Sequence, residues 1–125
     1  MNLLLDTHVL LWWLDDNPTL SSKAKAAIAD PKNIVFVSAA VIWEIQIKQA
    51  LGKLQIPEDF HSVLDHQPFE MLSITAEHAY MVGDLPLFHQ DPFDRMLIAQ
   101  AKVEHVMFVT RDNKLKEYDI PLIAA

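Results

Sequence analysis

Short unbroken apolar runs alternate with longer segments of helical character. NLLL at 2–5, IVFV at 34–37 and VMFV at 106–109 read as buried strands. FEMLSI at 69–74 reads as a further strand, and IPLI at 120–123 as an edge strand because Pro121 has no N–H to donate. Between the runs lie helices. HVLLWWL covers 8–14; a second spans 21–29 with Ser21 or Ser22 as cap; AAVIWEIQIKQAL follows a Ser38 cap and stops at Gly52. Pro57 opens a short helix to about His66, Thr75 starts one ending near Gly83, and Asp91 caps the helix over 91–104 with Pro92 at its first position. Uniformly apolar strands separated by helices predict an α/β fold whose parallel sheet is covered on both faces. Sites in such sheets gather beyond the carboxyl ends of the strands.

Composition narrows the chemistry. The chain has 125 residues, enough for one domain with a real core. It has no cysteine, which excludes disulfides and thiolate metal sites. Two glycines, Gly52 and Gly83, leave no room for a P-loop or a dinucleotide fingerprint. A net charge of -7 argues against tight holding of nucleic acid on a broad basic face, though not against an enzyme that touches it through a cation. The opening MNLLLDTHVLLWWLDD lacks the basic start of a signal peptide, and no run nears the roughly 18–20 apolar residues that span a bilayer. The expected location is the cytoplasm. A hydrophobic content of 51% leaves a surplus that a partner or a second copy would cover.

Four acids stand in telling places. Asp6 directly follows LLL at a strand end, and Asp112 in FVTRDNKL sits just past another. Each alone is explained as a cap or turn residue. Glu44 is flanked on its helix by Ala40, Val41, Ile47, Lys48 and Leu51, so it lies in or near the buried stripe. A carboxylate there costs several kcal/mol unless paired or bound to a metal. An i,i+4 pair with Lys48 is the simple alternative. Asp94 shares a face with Leu97, Ile98 and Ala101; its alternative is an acid favoured by the first helical turn. Together the four change the reading, because a parallel sheet can bring them to one point. Carboxylates about 5 Å apart repel by roughly 3 kcal/mol at an effective dielectric of 20, so such a cluster needs a cation. Oxygen ligands point to Mg²⁺ or Mn²⁺ rather than zinc. Such ions activate water for displacement at phosphorus.

LLLDTHVLLWWL, VSAAVIWEIQIKQALGKL, DPFDRMLIAQA and VTRDNKL, in this order, closely resemble the PIN-domain family. The nearest likeness is to VapC-type toxins of bacterial toxin–antitoxin pairs. The resemblance implies a three-layer α/β/α sandwich with a central parallel sheet, residues 1–125 forming a single PIN-like nuclease domain. It implies a metal-dependent ribonuclease, a cognate antitoxin and a homodimer. The family's acidic positions fall on Asp6, Glu44, Asp94 and Asp112. Its Ser or Thr near the acids corresponds to Thr7, Ser38 or Thr110, either orienting carboxylates or capping helices.

Other residues carry weaker expectations. The six histidines show no metal-ligand spacing within a helix; His8, near Asp6, is a candidate for substrate binding. One of Trp12 and Trp13 is expected in the core, the other under a partner, and Trp43 in the core rather than as a base-stacking platform. Arg95 is expected to face solvent, with phosphate contact as its alternative. Two rival functions remain. A phospho-acceptor receiver domain lacks its acceptor here, since IVFV is followed by SAA and FEMLSI by TAE. A non-enzymatic interaction module of the same fold would not need four intact acids.

Overall fold

The structure, a computed structural model, describes residues 1–125 apart from the side chain of Asn113. Five strands are present: β1 (Asn2–Leu5), β2 (Ile34–Ser38), β3 (Glu70–Leu72), β4 (Met107–Thr110) and β5 (Leu122–Ala124). The helices are α1 (Thr7–Leu14), α2 (Ser22–Ala29), α3 (Ala39–Ala50), α4 (Phe60–Asp65), α5 (Ala76–Asp84) and α6 (Pro92–Glu104). All strand pairs are parallel, in the order β3-β2-β1-β4-β5.

Leu4 on the central β1 aligns with Phe36 on β2 and Phe108 on β4. Leu3, Leu4 and Leu5 are all 0% exposed. Consecutive strand residues point to opposite faces, so helices must cover both. This is the α/β/α arrangement expected from the apolar runs.

The caps fall where side-chain chemistry places them. Ser21, Ser38, Thr75 and Asp91 each accept a backbone N–H from the first turn of α2, α3, α5 and α6. Gly52, with φ +70, follows the end of α3 in a conformation that costs glycine little. Three elements differ from expectation. The strand at 69–74 keeps only Glu70–Leu72, at the sheet edge. The helix after Pro57 begins at Phe60 rather than at the proline, residues before it forming a turn. A 3-10 helix, Asn113–Tyr118, was not expected at all.

Strand order reverses at β1, because the chain leaves β1 toward β2 but returns from β3 to β4 on its other side. Connections leaving the carboxyl ends of β1 and β4 therefore part, and a crevice opens between them.

Candidate active site

Asp6, Glu44, Asp94 and Asp112 all line one cleft at that crevice, of ≈ 370 Å³. They arrive from four segments: the β1 end, the middle of α3, the first turn of α6 and the β4 end.

Asp6 does two jobs there. Its Oδ1 accepts the Val9 N–H at 3.0 Å, capping α1, while its Oδ2 accepts the Thr110 hydroxyl at 2.5 Å. The cap reading was therefore correct but incomplete. Burial raises the Asp6 carboxyl above its ordinary range, against the lowering effect of the Thr110 bond. Thr110 Oγ1 in turn accepts the Asp112 N–H at 3.1 Å, linking two of the acids through one hydroxyl. Asp112 caps the 3-10 helix through the Lys114 N–H at 3.0 Å.

Glu44 is 5% exposed and fully engaged. Thr7 donates to its Oε1 at 2.6 Å and the Lys48 ammonium to its Oε2. The Lys48 pair is thus present and belongs to the cleft wall, rather than being an alternative to it. The bond to Glu44 holds the Lys48 ammonium above its usual range. Of the three hydroxyl candidates, Thr7 and Thr110 hold carboxylates; Ser38 caps α3 through the Ala40 N–H.

Asp94 is half-buried on α6, whose next turns bury Leu97, Ile98 and Ala101. Its backbone N–H donates to the Asp91 cap at 3.0 Å. Burial pushes its carboxyl up to about 6, a hydrogen bond from His89 opposing the shift and the Asp91 charge adding to it. That bond joins His89 Nε2 to Asp94 Oδ2 at 2.7 Å. Among the described residues, His89, Asp94 and Asp112 offer ligand atoms that lie within 4.8 Å of one another. Sequence spacing missed His89, because it sits in the 85–90 connection, where no periodicity points to a site.

A raised carboxyl has a consequence for the metal-free protein. Protonated Asp94 fits the fold better than ionised Asp94, so its contribution is complete below the unfolded value of 3.8 and disappears as pH rises through about 6. Stability without metal is expected to fall across that window by at most ~3 kcal/mol from this group. Thermal melts at pH 4 to 7 in chelator check it, and Asp94→Asn should flatten the curve.

Two expectations about neighbours are corrected. Trp43 is 58% exposed, its ring edge-on to Phe93 at 5.1 Å, and not in the core. Arg95 neither faces free solvent nor reaches the cleft: it donates to the carbonyls of Val82 and Pro86, each at 2.9 Å. At the cleft mouth Trp12 is half-buried, with His8 stacked at 5.9 Å and the Arg111 guanidinium 4.7 Å from its ring centre. Trp13 is half-buried too, bonded to Gln67.

The donor set suits a hard divalent cation. Its four acids offer carboxylate oxygen, partly pre-oriented by hydroxyls, and Asp6 and Asp94 resist ionisation there without a counter-charge; Asp94 and Asp112 share the tight group with the His89 ring nitrogen, while Asp6 and Glu44 line the same cleft outside that group. Lys48 neutralises one of the four acids, leaving a local excess of negative charge.

Comparison with known proteins identifies the family. The profile of the PIN domain family matches residues 3–121. Ribonuclease VapC22 from Mycobacterium tuberculosis is 30% identical over 122 residues, covering 94% of this chain and 92% of that protein. Among solved structures, VapBC2 from Rickettsia felis, bound to a DNA fragment from its promoter, contains a similar fold. The TM-score is 0.77 at 19% identity, covering 99% of this chain and 98% of that one. DNA-bound VapBC from Salmonella typhimurium matches with a TM-score of 0.74 at 15% identity, covering 99% of this chain and 98% of that one. With its sheet order, its four converging acids and these likenesses together, the chain belongs to the PIN domain family, in the branch of the VapC ribonuclease toxins.

Proposed function

We propose that this chain is a Mg²⁺-dependent endoribonuclease, with Mn²⁺ able to substitute, and that it is the toxin of a toxin–antitoxin pair acting in the cytoplasm. Residues 1–125 are taken as one nuclease unit. The observation that carries the reading is the convergence of Asp6, Glu44, Asp94 and Asp112 in one cleft at the carboxyl edge of the sheet. These four are proposed as the cation's ligands, directly or through water. A divalent ion held there would supply an activated water and stabilise an in-line displacement of the RNA phosphodiester.

The chain's own groups prepare that chemistry. Thr110 and Thr7 fix one oxygen each of Asp6 and Glu44. Arg111 lines the same cleft and offers positive charge to the phosphates of an entering strand, while Lys48 is held by Glu44. RNA as the substrate is supported by the relative named a ribonuclease.

Partner binding has separate support. An apolar groove of ≈ 740 Å³, walled by Leu11, Leu14, Ile56, Phe60 and Val63, shares Trp12 with the acidic cleft. An antitoxin segment filling the groove would therefore border the acidic cleft. Trp43, 58% exposed beside Phe93, is apolar surface that a second copy would cover in the proposed homodimer.

Incubation of the purified chain with total RNA tests the activity. Fragments are expected with Mg²⁺ and intact RNA with chelator. Cleavage that survives chelation would contradict the metal requirement, and intact RNA in both would favour an interaction module.

A further inference from the structure

We propose that His89 is a positioning residue for the acidic centre: its imidazole holds one carboxylate oxygen of Asp94 and leaves the other free to face a cation. The inference rests on the metal-site reading above and extends it to a group outside the four acids.

The geometry is specific. His89 Nε2 lies 2.7 Å from Asp94 Oδ2 and 3.9 Å from Asp112 Oδ2. The connection that carries it has little packing of its own, Leu87 being 81% exposed. Its backbone is nevertheless tied down at several points. Arg95 donates to the carbonyls of Leu85, Pro86 and His89 at 3.4, 2.9 and 3.3 Å. The His89 N–H donates to the hydroxyl of Tyr118 at 2.8 Å, and Tyr118 is 2% exposed. Arg95 directly follows Asp94 on α6, so one helical turn supplies both the carboxylate and the clamp on its partner.

This arrangement matters for the choice of ion. A carboxylate free to swing can offer both oxygens, which suits the larger Ca²⁺. Mg²⁺ demands compact octahedral geometry. Groups that orient a ligand from behind are commonly worth 10–100-fold in metal affinity.

Mn²⁺ alone is the probe, its binding to the full chain followed by electron paramagnetic resonance. His89→Ala is expected to weaken Mn²⁺ binding roughly 10–100-fold. His89→Gln, whose amide can place an N–H near the Nε2 position, should bind within about threefold of the unaltered chain. Metal-free melts check that every variant in the set folds. If His89→Ala melts low, His89→Asn, whose amide is too short to span the gap, takes its place. Unchanged affinity in the truncated variant overturns the proposal. So does failure of Gln to rescue, or nitrogen hyperfine coupling to bound Mn²⁺, which would make the imidazole a direct ligand. An unaltered chain that takes up no Mn²⁺ overturns the metal-site reading itself. Uptake by the unaltered chain with equal uptake by His89→Ala overturns only the role of His89.

Discussion

Asp94→Asn should reduce RNA cleavage by at least ~1,000-fold, about 4 kcal/mol of transition-state stabilisation, while leaving the metal-free fold as stable as before or more so. Asparagine keeps the shape and can still accept the hydrogen bond from His89. It removes a charge that burial disfavours, from a carboxyl pushed up to about 6. Above that pH the unaltered protein carries the cost of ionising Asp94, and the variant does not. An ordinary structural acid would behave in the opposite way, since losing a stabilising charge lowers the melting point. Cleavage assays paired with melts in chelator at pH 7.5 separate the cases. A large drop in melting temperature would show that Asp94 serves the fold rather than the chemistry.

The same electrostatics predict a large effect of metal on stability. The folded state gathers carboxylates that the unfolded chain disperses, and a cation bound only to the fold relieves their repulsion. At a hundredfold excess over its dissociation constant, Mg²⁺ should add ~2.7 kcal/mol, roughly 10 °C in melting temperature for a chain of this size. The shift should saturate with Mg²⁺, in contrast to the weak, open-ended response of general ionic screening. It should nearly vanish in Asp6→Asn and Asp94→Asn. Differential scanning calorimetry with NaCl controls of matched ionic strength measures it. An equal shift in the variants would assign the effect to salt.

The positions of the acids were legible because each rests on a local signal. Asp6 and Asp112 follow apolar runs short enough to be strands, and strand ends point to the crevice of a parallel sheet. Glu44 and Asp94 interrupt apolar stripes at helical spacing. What escaped lies in a connection without periodicity, whose shape the spacing of apolar residues does not reveal. His89 meets Asp94 from a connection tied down by Arg95 and by Tyr118, the latter 29 residues away. Trp43 and Arg95 were also misread. Each follows or precedes a cleft acid, and adjacent helical residues point about 100° apart, which turns both away from the cleft; the Pro86 and His89 carbonyls that capture Arg95 belong to a connection with no periodic signal. Trp43 is thereby turned outward onto Phe93, and Arg95 toward the 85–90 carbonyls. The 3-10 helix buries Leu115 and Tyr118, three apart, a spacing that matches three residues per turn but is too brief to register as a pattern.

The most direct test follows the side-chain carboxyl resonances by carbon NMR during one Mg²⁺ titration of the metal-free protein. Signals from Asp6, Glu44, Asp94 and Asp112 should move together and saturate at a common concentration, while the remaining carboxyls stay nearly still. Four acids that respond at unrelated concentrations, or no more than surface carboxylates do, would contradict a shared cation.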